Sequence, residues 1–308
     1  MIGARPLLVV LGTTASGKSE IAVRLAERFG GEIVGCDSMQ VYRGFVLGTG
    51  APGPELRARA PHHLIGVADP AADFSLGEYV RLAAASLAAL EAAGRRAIVA
   101  GGTGLYLRGL LRGVFEGPRR DEALRARLVE AGDEHGAGYL HAMLRRVDPA
   151  SARRLPPRDR QRIVRALEVF FATRRPMSEQ IASHGFREER WRAVKIGLTM
   201  PRALLSERIE QRIERFFEAG WEDEVRGLLA SGLPETANAW KALGYREVAR
   251  LVRGEIGREE AVRSIARETR KYAKRQMTWF RREPGVVWFE HGGTPPWNAI
   301  EAFVGEAR

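Results

Sequence analysis

Apolar residues follow two rhythms along this chain, and the change between them marks its organisation. Pro6–Leu11 is a short unbroken apolar run of the kind a buried strand carries. A Gly-rich loop follows, then an amphipathic helical pattern over Lys18–Phe29 that Gly30-Gly31 stops. Glu32–Cys36 reads as a second strand. A loop rich in Gly and Pro (44–61) leads to a helix capped by Ser75, which runs to Ala93 and ends at Gly94. Arg96–Ala100 is a third strand, closing on Gly101-Gly102-Thr103-Gly104. Such alternation predicts an α/β fold, a parallel sheet flanked by helices.

After Gly117 only helical periodicity remains, over Glu122–Glu130, Ala137–Val147, Pro149–Arg154 and Asp159–Thr173. An apolar strand returns at Ala193–Met200, Pro201 opens a new helix, and the chain is helical to about Arg282. The expected organisation is a core of residues 1–117 and 193–308, with a helical C-terminal region, interrupted by an all-helical insertion domain at 118–192.

Composition adds limits. With 45% apolar residues in 308, the chain can build one large core or a core plus a smaller domain. Its longest apolar runs are too short to cross a bilayer, and the N-terminus lacks a signal-peptide pattern. The expectation is a cytoplasmic protein with no membrane partner, for which a monomer suffices. Cys36 is the sole cysteine, and no Cys/His cluster has zinc-ligand spacing.

Charge changes the picture more. Lys and Arg number 49 against 38 acids, a net +11. Between Pro118 and Arg192 there are 17 Arg and 11 acids, a net +6; between Glu259 and Glu283, eight bases and four acids, a net +4. A surplus gathered in two segments favours a polyanion larger than a nucleotide. The competing reading is a solvated basic surface.

The stretch Gly12-Thr13-Thr14-Ala15-Ser16-Gly17-Lys18-Ser19 fits Gly-x4-Gly-Lys-Ser between a strand and a helix, the setting a phosphate-binding loop requires. Glycines let backbone N–H groups converge on phosphate oxygens, and the helix N-terminus adds its dipole. Lys18 reaches the distal phosphate, and the Ser19 hydroxyl suits Mg²⁺. The fold class becomes a P-loop, nucleoside-kinase-like sheet. The motif alone suggests ATP. Yet the third strand ends in Gly101-Gly102-Thr103, without the carboxylate that helps ordinary P-loop enzymes hold metal. An acid follows the second strand instead, in Cys36-Asp37-Ser38-Met39-Gln40. Strand ends in a doubly wound sheet share one crevice, so Asp37, Thr103 and the loop should converge. By itself Asp37 is as readily a turn former as a general base; beside a phosphate loop the base is favoured.

The ordered set of motifs goes further. After residues 12–19 come Asp-Ser-Met-Gln-Val-Tyr-Arg (37–43), Pro-His-His-Leu-Ile (61–65) and Gly-Gly-Thr-Gly-Leu-Tyr (101–106). Arg-Ala-Leu-Glu-Val (165–169), Leu-Gly-Tyr-Arg-Glu (243–247) and Thr-Arg-Lys-Tyr-Ala-Lys-Arg-Gln-Met-Thr-Trp-Phe-Arg (269–281) follow. Together they resemble the tRNA dimethylallyltransferase (tRNA isopentenyltransferase, or IPP transferase) family, over roughly residues 7–290. The resemblance implies transfer of a dimethylallyl group from its diphosphate to the exocyclic amine of the adenosine 3′-adjacent to the anticodon in tRNA, with Mg²⁺ beside the diphosphate. It casts Asp37 as general base, Ser38 and Gln40 as holders of the flipped-out adenine and Thr103 as the channel border, and counts Asp37, Ser38, Met39, Gln40 and Thr103 among the tRNA-binding residues. Arg208 and Arg212 fall where the family supplies diphosphate-contacting arginine; the competing reading pairs them with Glu207 and Glu210 on a solvated face. For the tRNA anticodon stem-loop, the resemblance points to Arg125; to Gln161, Arg162, Ile163, Val164 and Arg165; to Lys241, Gly244, Tyr245 and Arg246; and to Lys274, Arg275, Gln276, Thr278, Trp279 and Arg281. His62 and His63, with no third ligand in view, are expected to be structural. Two alternatives stand beside this reading. A small-molecule or nucleoside-monophosphate kinase would share the loop and sheet but bind ATP, and a non-catalytic RNA-binding protein would not need Lys18, Ser19 and Asp37 together.

Overall fold

The structure, a computed structural model, describes residues 5–114, 117–118, 121–184 and 190–306. The chain divides into two compact units, Met1–Leu111 with Arg190–Arg308, and Arg112–Glu189.

The first unit is built on a six-stranded, wholly parallel sheet. Its strands are β1 (Leu7–Gly12), β2 (Gly31–Gly35), β3 (His62–His63), β4 (Arg96–Ala100), β5 (Ala193–Thr199) and β6 (Val286–Glu290), in the order β3-β2-β4-β1-β5-β6. Every residue of β1 is buried, as expected for a strand covered on both faces. The helices before the second unit are α1 (Lys18–Phe29), α2 (Pro54–Arg59), α3 (Leu76–Ala92) and α4 (Gly104–Arg112). Ser75 caps α3 through a reciprocal pair: Glu78 N donates to Ser75 Oγ at 3.1 Å and Ser75 N to Glu78 Oε2 at 3.0 Å. β1, β4 and β2 are neighbours, so the segments leaving their carboxyl ends, 13–18, 101–103 and 36–40, open onto one side of the sheet.

The second unit holds only helices among its described residues: α5 (Glu122–His135), α6 (Ala137–Val147), α7 (Pro149–Arg154), α8 (Arg160–Thr173) and α9 (Met177–His184). Leu128, Leu140, Leu144, Ile163, Val164 and Leu167 form its core. Asp148 pins α7 to α9. Its carboxylate accepts from Ser151 N at 2.9 Å, Ser151 Oγ at 2.7 Å, Ser178 N at 2.9 Å and Ser178 Oγ at 2.5 Å. Burial opposes that charge, but the four hydrogen bonds prevail and hold the carboxyl below its ordinary range.

The chain then returns to the first unit as α10 (Arg202–Glu218), α11 (Trp221–Ala230), α12 (Tyr245–Val252), α13 (Arg258–Phe280) and α14 (Trp297–Glu306). An aromatic cluster joins α11 and α12 to the segments around Phe45 and Trp240: Tyr245 lies 5.5 Å from Trp221 and 4.6 Å from Phe45, and Phe45 lies 5.7 Å from Trp240, centroid to centroid. This cluster leaves no room at Gly48, where a Cβ would stand 2.1 Å from the Trp221 ring. Among the described residues no helix is long and apolar enough to cross a membrane.

Besides α4, four elements depart from the sequence expectation. Part of the 44–61 loop forms α2, started by Pro54 at its first turn. His62 and His63 form β3, the sheet edge beside β2, where His63 Nε2 meets Glu32 Oε2 at 2.8 Å. Met177 opens the short helix α9 directly after Pro176. Beyond Arg282 the run Val286-Val287-Trp288-Phe289 becomes β6, alongside β5. A buried ion pair anchors the turn into β6: Lys195 Nζ, on β5, donates to Glu283 Oε1 at 2.7 Å and to Pro284 O at 3.0 Å.

Candidate active site

The loop after β1 has the backbone geometry its glycines predict. Gly12 has φ +147°, and a Cβ there would sit 2.6 Å from Leu198 O on the next strand. Gly17 adopts φ +86° as the N-cap of α1 and supplies no side-chain cap, leaving the first amides of that helix to an anion. Ala15 has φ +64°, an uncommon conformation for a residue with a Cβ. Lys18 Nζ donates to Thr13 O at 2.6 Å, folded back over its own loop. Burial first, then the nearby Arg212, lowers the Lys18 pKa to about 7, against the opposing pull of Asp37.

Across the crevice, Asp37 accepts from Met39 N at 2.9 Å and Gln40 N at 3.4 Å through Oδ1. That is the turn-forming role; it engages one oxygen. Oδ2 lies toward Gly102, 3.6 Å from where a Cβ of that glycine would stand. Thr103 joins the two strand ends: its N–H donates to Cys36 O at 3.1 Å, and Oγ1 accepts from Ser38 N at 3.0 Å. Gln40 Nε2 donates to Thr49 O at 3.1 Å and Gly50 O at 3.2 Å, closing the side of the site. Burial pushes the Cys36 thiol up to about 12, so this cysteine is no nucleophile.

Arg208 and Arg212 turn inward from α10. Arg212 donates to Thr14 Oγ1 at 3.1 Å and to Gly50 O at 3.4 Å, while Arg208 donates to Gly293 O at 2.6 Å. The solvated-face alternative fails for this pair; Glu210 instead accepts from Arg270 at 2.6 Å. The segment after β6 also closes on the loop, since His291 Nε2 lies 3.1 Å from Ser16 O. Gly293 N donates to His291 Nδ1 at 3.3 Å, which leaves the proton on Nε2 for Ser16.

These groups surround one cavity of about 300 Å³. One end is polar, with Thr14, Lys18, Ser19, Arg212 and Asp37; another wall is apolar, with Ile209, Ile213, Phe216 and Ile265. The sequence reading missed that apolar wall, although Ile209, Ile213 and Phe216 recur at helical spacing on α10; Ile265 comes from α13. It also missed Tyr272, which lines the cavity beside the Thr103 hydroxyl and the Gln276 amide. Burial and the Asp37 charge raise the Tyr272 pKa, so its hydroxyl keeps its proton at neutral pH.

The residues singled out for RNA fall into two sets. Lys241, Arg246, Lys274, Arg275, Thr278 and Arg281 are exposed, and Trp279 is half-buried with the Arg108 guanidinium 4.4 Å from its ring centroid. On α13, however, Arg263, Arg267, Arg270 and Lys271 each have a carboxylate partner, so the basic face is partly neutralised. In the second unit, Gln161 and Arg162 are exposed. Arg165 donates to Pro118 O at 2.9 Å. Several other side chains do not face outward. Ile163 and Val164 are core residues, because α8 turns that face to its neighbours. Arg125 is bound to the buried Glu168 at 2.8 Å. Tyr245 is fully buried and donates to Glu224; Gly244 serves its backbone, at φ +87° against Trp221. Gln276 is only 5% exposed.

Comparison with known proteins agrees over nearly the whole chain. A family model described as IPP transferase matches residues 40–283, and one described as isopentenyl transferase matches residues 6–60. The chain is 47% identical to the tRNA dimethylallyltransferase of Geobacter metallireducens, over 93% of each protein. It is 46% identical to that of Solibacter usitatus, over 94% of each. Among solved structures, the tRNA isopentenylpyrophosphate transferase of Bacillus halodurans aligns with TM-score 0.71 and 33% identity, covering 98% of both chains. A eukaryotic dimethylallyltransferase acting on tRNA shares the fold, with TM-score 0.77 at 23% identity, over 93% of this chain and 74% of that one.

Proposed function

Because the chain belongs to the IPP transferase family, we propose that it transfers a dimethylallyl group from dimethylallyl diphosphate to the exocyclic amine of the adenosine 3′-adjacent to the tRNA anticodon. The observation that carries the reading is the single cavity that sets Lys18, Ser19 and Arg212 against Asp37, with an apolar wall between the helices for a five-carbon chain.

The residues divide the work. Lys18, Arg212 and the free amides at the start of α1 hold the diphosphate as its charge grows. The amine nitrogen attacks the allylic carbon, a C–N bond forms, and the C–O bond to diphosphate breaks with its electron pair. The amine proton passes to Asp37 Oδ2, so the products are prenylated adenosine, diphosphate and a protonated carboxyl. Ser38, Gln40 and Thr103 shape the side by which the extruded base enters. Among the described residues, no group of three His, Cys, Asp or Glu is placed to hold a metal. The oxygen donors at hand, the Ser19 hydroxyl and the diphosphate itself, fit a hard cation, and Mg²⁺ held there would offset the leaving group's charge. Exposed basic side chains on α13, with Gln161 and Arg162 in the helical unit, supply the RNA contacts. We infer a cytoplasmic enzyme that acts as a monomer.

The test is direct. Incubation of the protein with labelled dimethylallyl diphosphate, Mg²⁺ and unmodified tRNA, without ATP, transfers label to the RNA. Absence of transfer together with turnover of ATP would replace this reading with the kinase.

A further inference from the structure

We propose that Gln276 is a positioning residue for the phosphate loop, setting affinity for the diphosphate rather than for RNA. The inference rests on the function proposed above and departs from the tRNA contact that the motif resemblance implies for this position.

Gln276 lies on the inward stripe of α13 with Ala273 and Phe280, at helical spacing. Its amide holds two backbone partners from different strand ends and also meets the Tyr272 hydroxyl. Thr14 N donates to Oε1 at 2.8 Å, and Nε2 donates to Gly102 O at 3.0 Å. A flipped amide would set N–H against N–H and oxygen against oxygen, so the two partners fix its orientation. Gly102 makes the reach possible, because a Cβ there would stand 2.2 Å from Nε2.

The loop needs such a hold. Thr14 precedes Ala15, whose positive φ stores strain that surrounding contacts must sustain. Arg212 fixes the Thr14 side chain; Gln276 fixes its backbone. Without the amide, the Thr14 N–H loses its acceptor and Ala15 is free to relax, so the anion site is no longer preorganised. The outward positions of the same helix, Lys274, Arg275 and Thr278, remain in place for RNA.

Two variants of the full chain test this, Gln276→Met and Gln276→Glu. Inorganic diphosphate binding is measured by calorimetry with Mg²⁺, and binding of an unmodified tRNA transcript by filter retention. Gln276→Met should weaken diphosphate about tenfold, roughly 1.4 kcal/mol, and leave tRNA affinity within about twofold. Gln276→Glu keeps an acceptor for Thr14 N but sets a second, charged oxygen against Gly102 O where the amide donated. It should bind diphosphate at least roughly threefold more weakly than the parent, again with tRNA affinity within about twofold, and carries the test if the Met variant melts below assay temperature. Weakened tRNA binding with unchanged diphosphate binding overturns the proposal, as do equal losses of both or no change in either. An unsubstituted protein that binds no diphosphate would instead remove the proposed function on which the inference rests.

Discussion

Raising the pH should loosen the grip on dimethylallyl diphosphate well before any ordinary lysine titrates. In the free site Lys18 has a pKa of about 7, because burial and Arg212 disfavour its charge. A bound diphosphate reverses that balance and restores a protonated lysine. Free protein above pH 7 must therefore take up a proton to bind tightly. If the bound lysine stays charged throughout, the dissociation constant rises about 25-fold between pH 7.5 and 9, close to 2 kcal/mol at ~1.36 kcal/mol per unit. At pH 8 roughly 0.9 proton should enter with each ligand. The ligand's own second ionisation, near pH ~6 as for other phosphomonoesters, is complete in this window and does not contribute. Titration calorimetry without tRNA, in buffers of different ionisation enthalpy, reads the uptake directly. An enthalpy independent of buffer, or proton release in place of uptake, would refute the reasoning.

Other outcomes follow from the same geometry. Asp37→Asn should leave diphosphate and tRNA affinities within about twofold while kcat falls some 10²–10⁴-fold; single-turnover prenylation measures it. The folded-state pKa of Lys18 lies below its unfolded value, so unfolded chain binds the extra proton between about pH 7 and 10.5, and stability of the free protein rises with pH across that window. Lys18→Met should accordingly raise the melting temperature at pH 7, by about 1–2 kcal/mol in stability after screening, while abolishing diphosphate binding. Lys195→Met breaks the buried ion pair with Glu283 at the turn into β6 and should cost about 3–5 kcal/mol in urea unfolding. The double variant Lys195→Met/Glu283→Leu should regain most of that loss.

Much of the fold was legible because its signals are local. The strand-loop-helix run at residues 7–29 carries its own glycines, and Ser75 with Glu78 announces α3. β6 was equally readable as an apolar run after Pro284-Gly285, but nothing local distinguishes an edge strand from the end of a helical region. At the site, Tyr272 lay within the 269–281 motif but was given no role, and the apolar wall of α10 and α13 was not read, since what these side chains face is decided by packing. Resemblance also carried over side chains as RNA contacts that turn inward here. Ile163 and Val164 already showed, by helical spacing and apolarity, that they belong to a core. Arg125 gave no such warning; only the fold brings Glu168 to it.

The phosphate loop is held by residues far downstream: Arg212, Gln276 and His291 bond to Thr14 or Ser16 across 198, 262 and 275 positions of sequence. During synthesis, then, the loop emerges 198 to 275 residues ahead of these restraints. Until they follow, the nascent chain carries an intact motif but no organised anion site, with Ala15 free of the contacts that sustain its conformation. Assembly of the site is thereby a late folding event, and competence to bind the small substrate reports that residues as distant as His291 have docked.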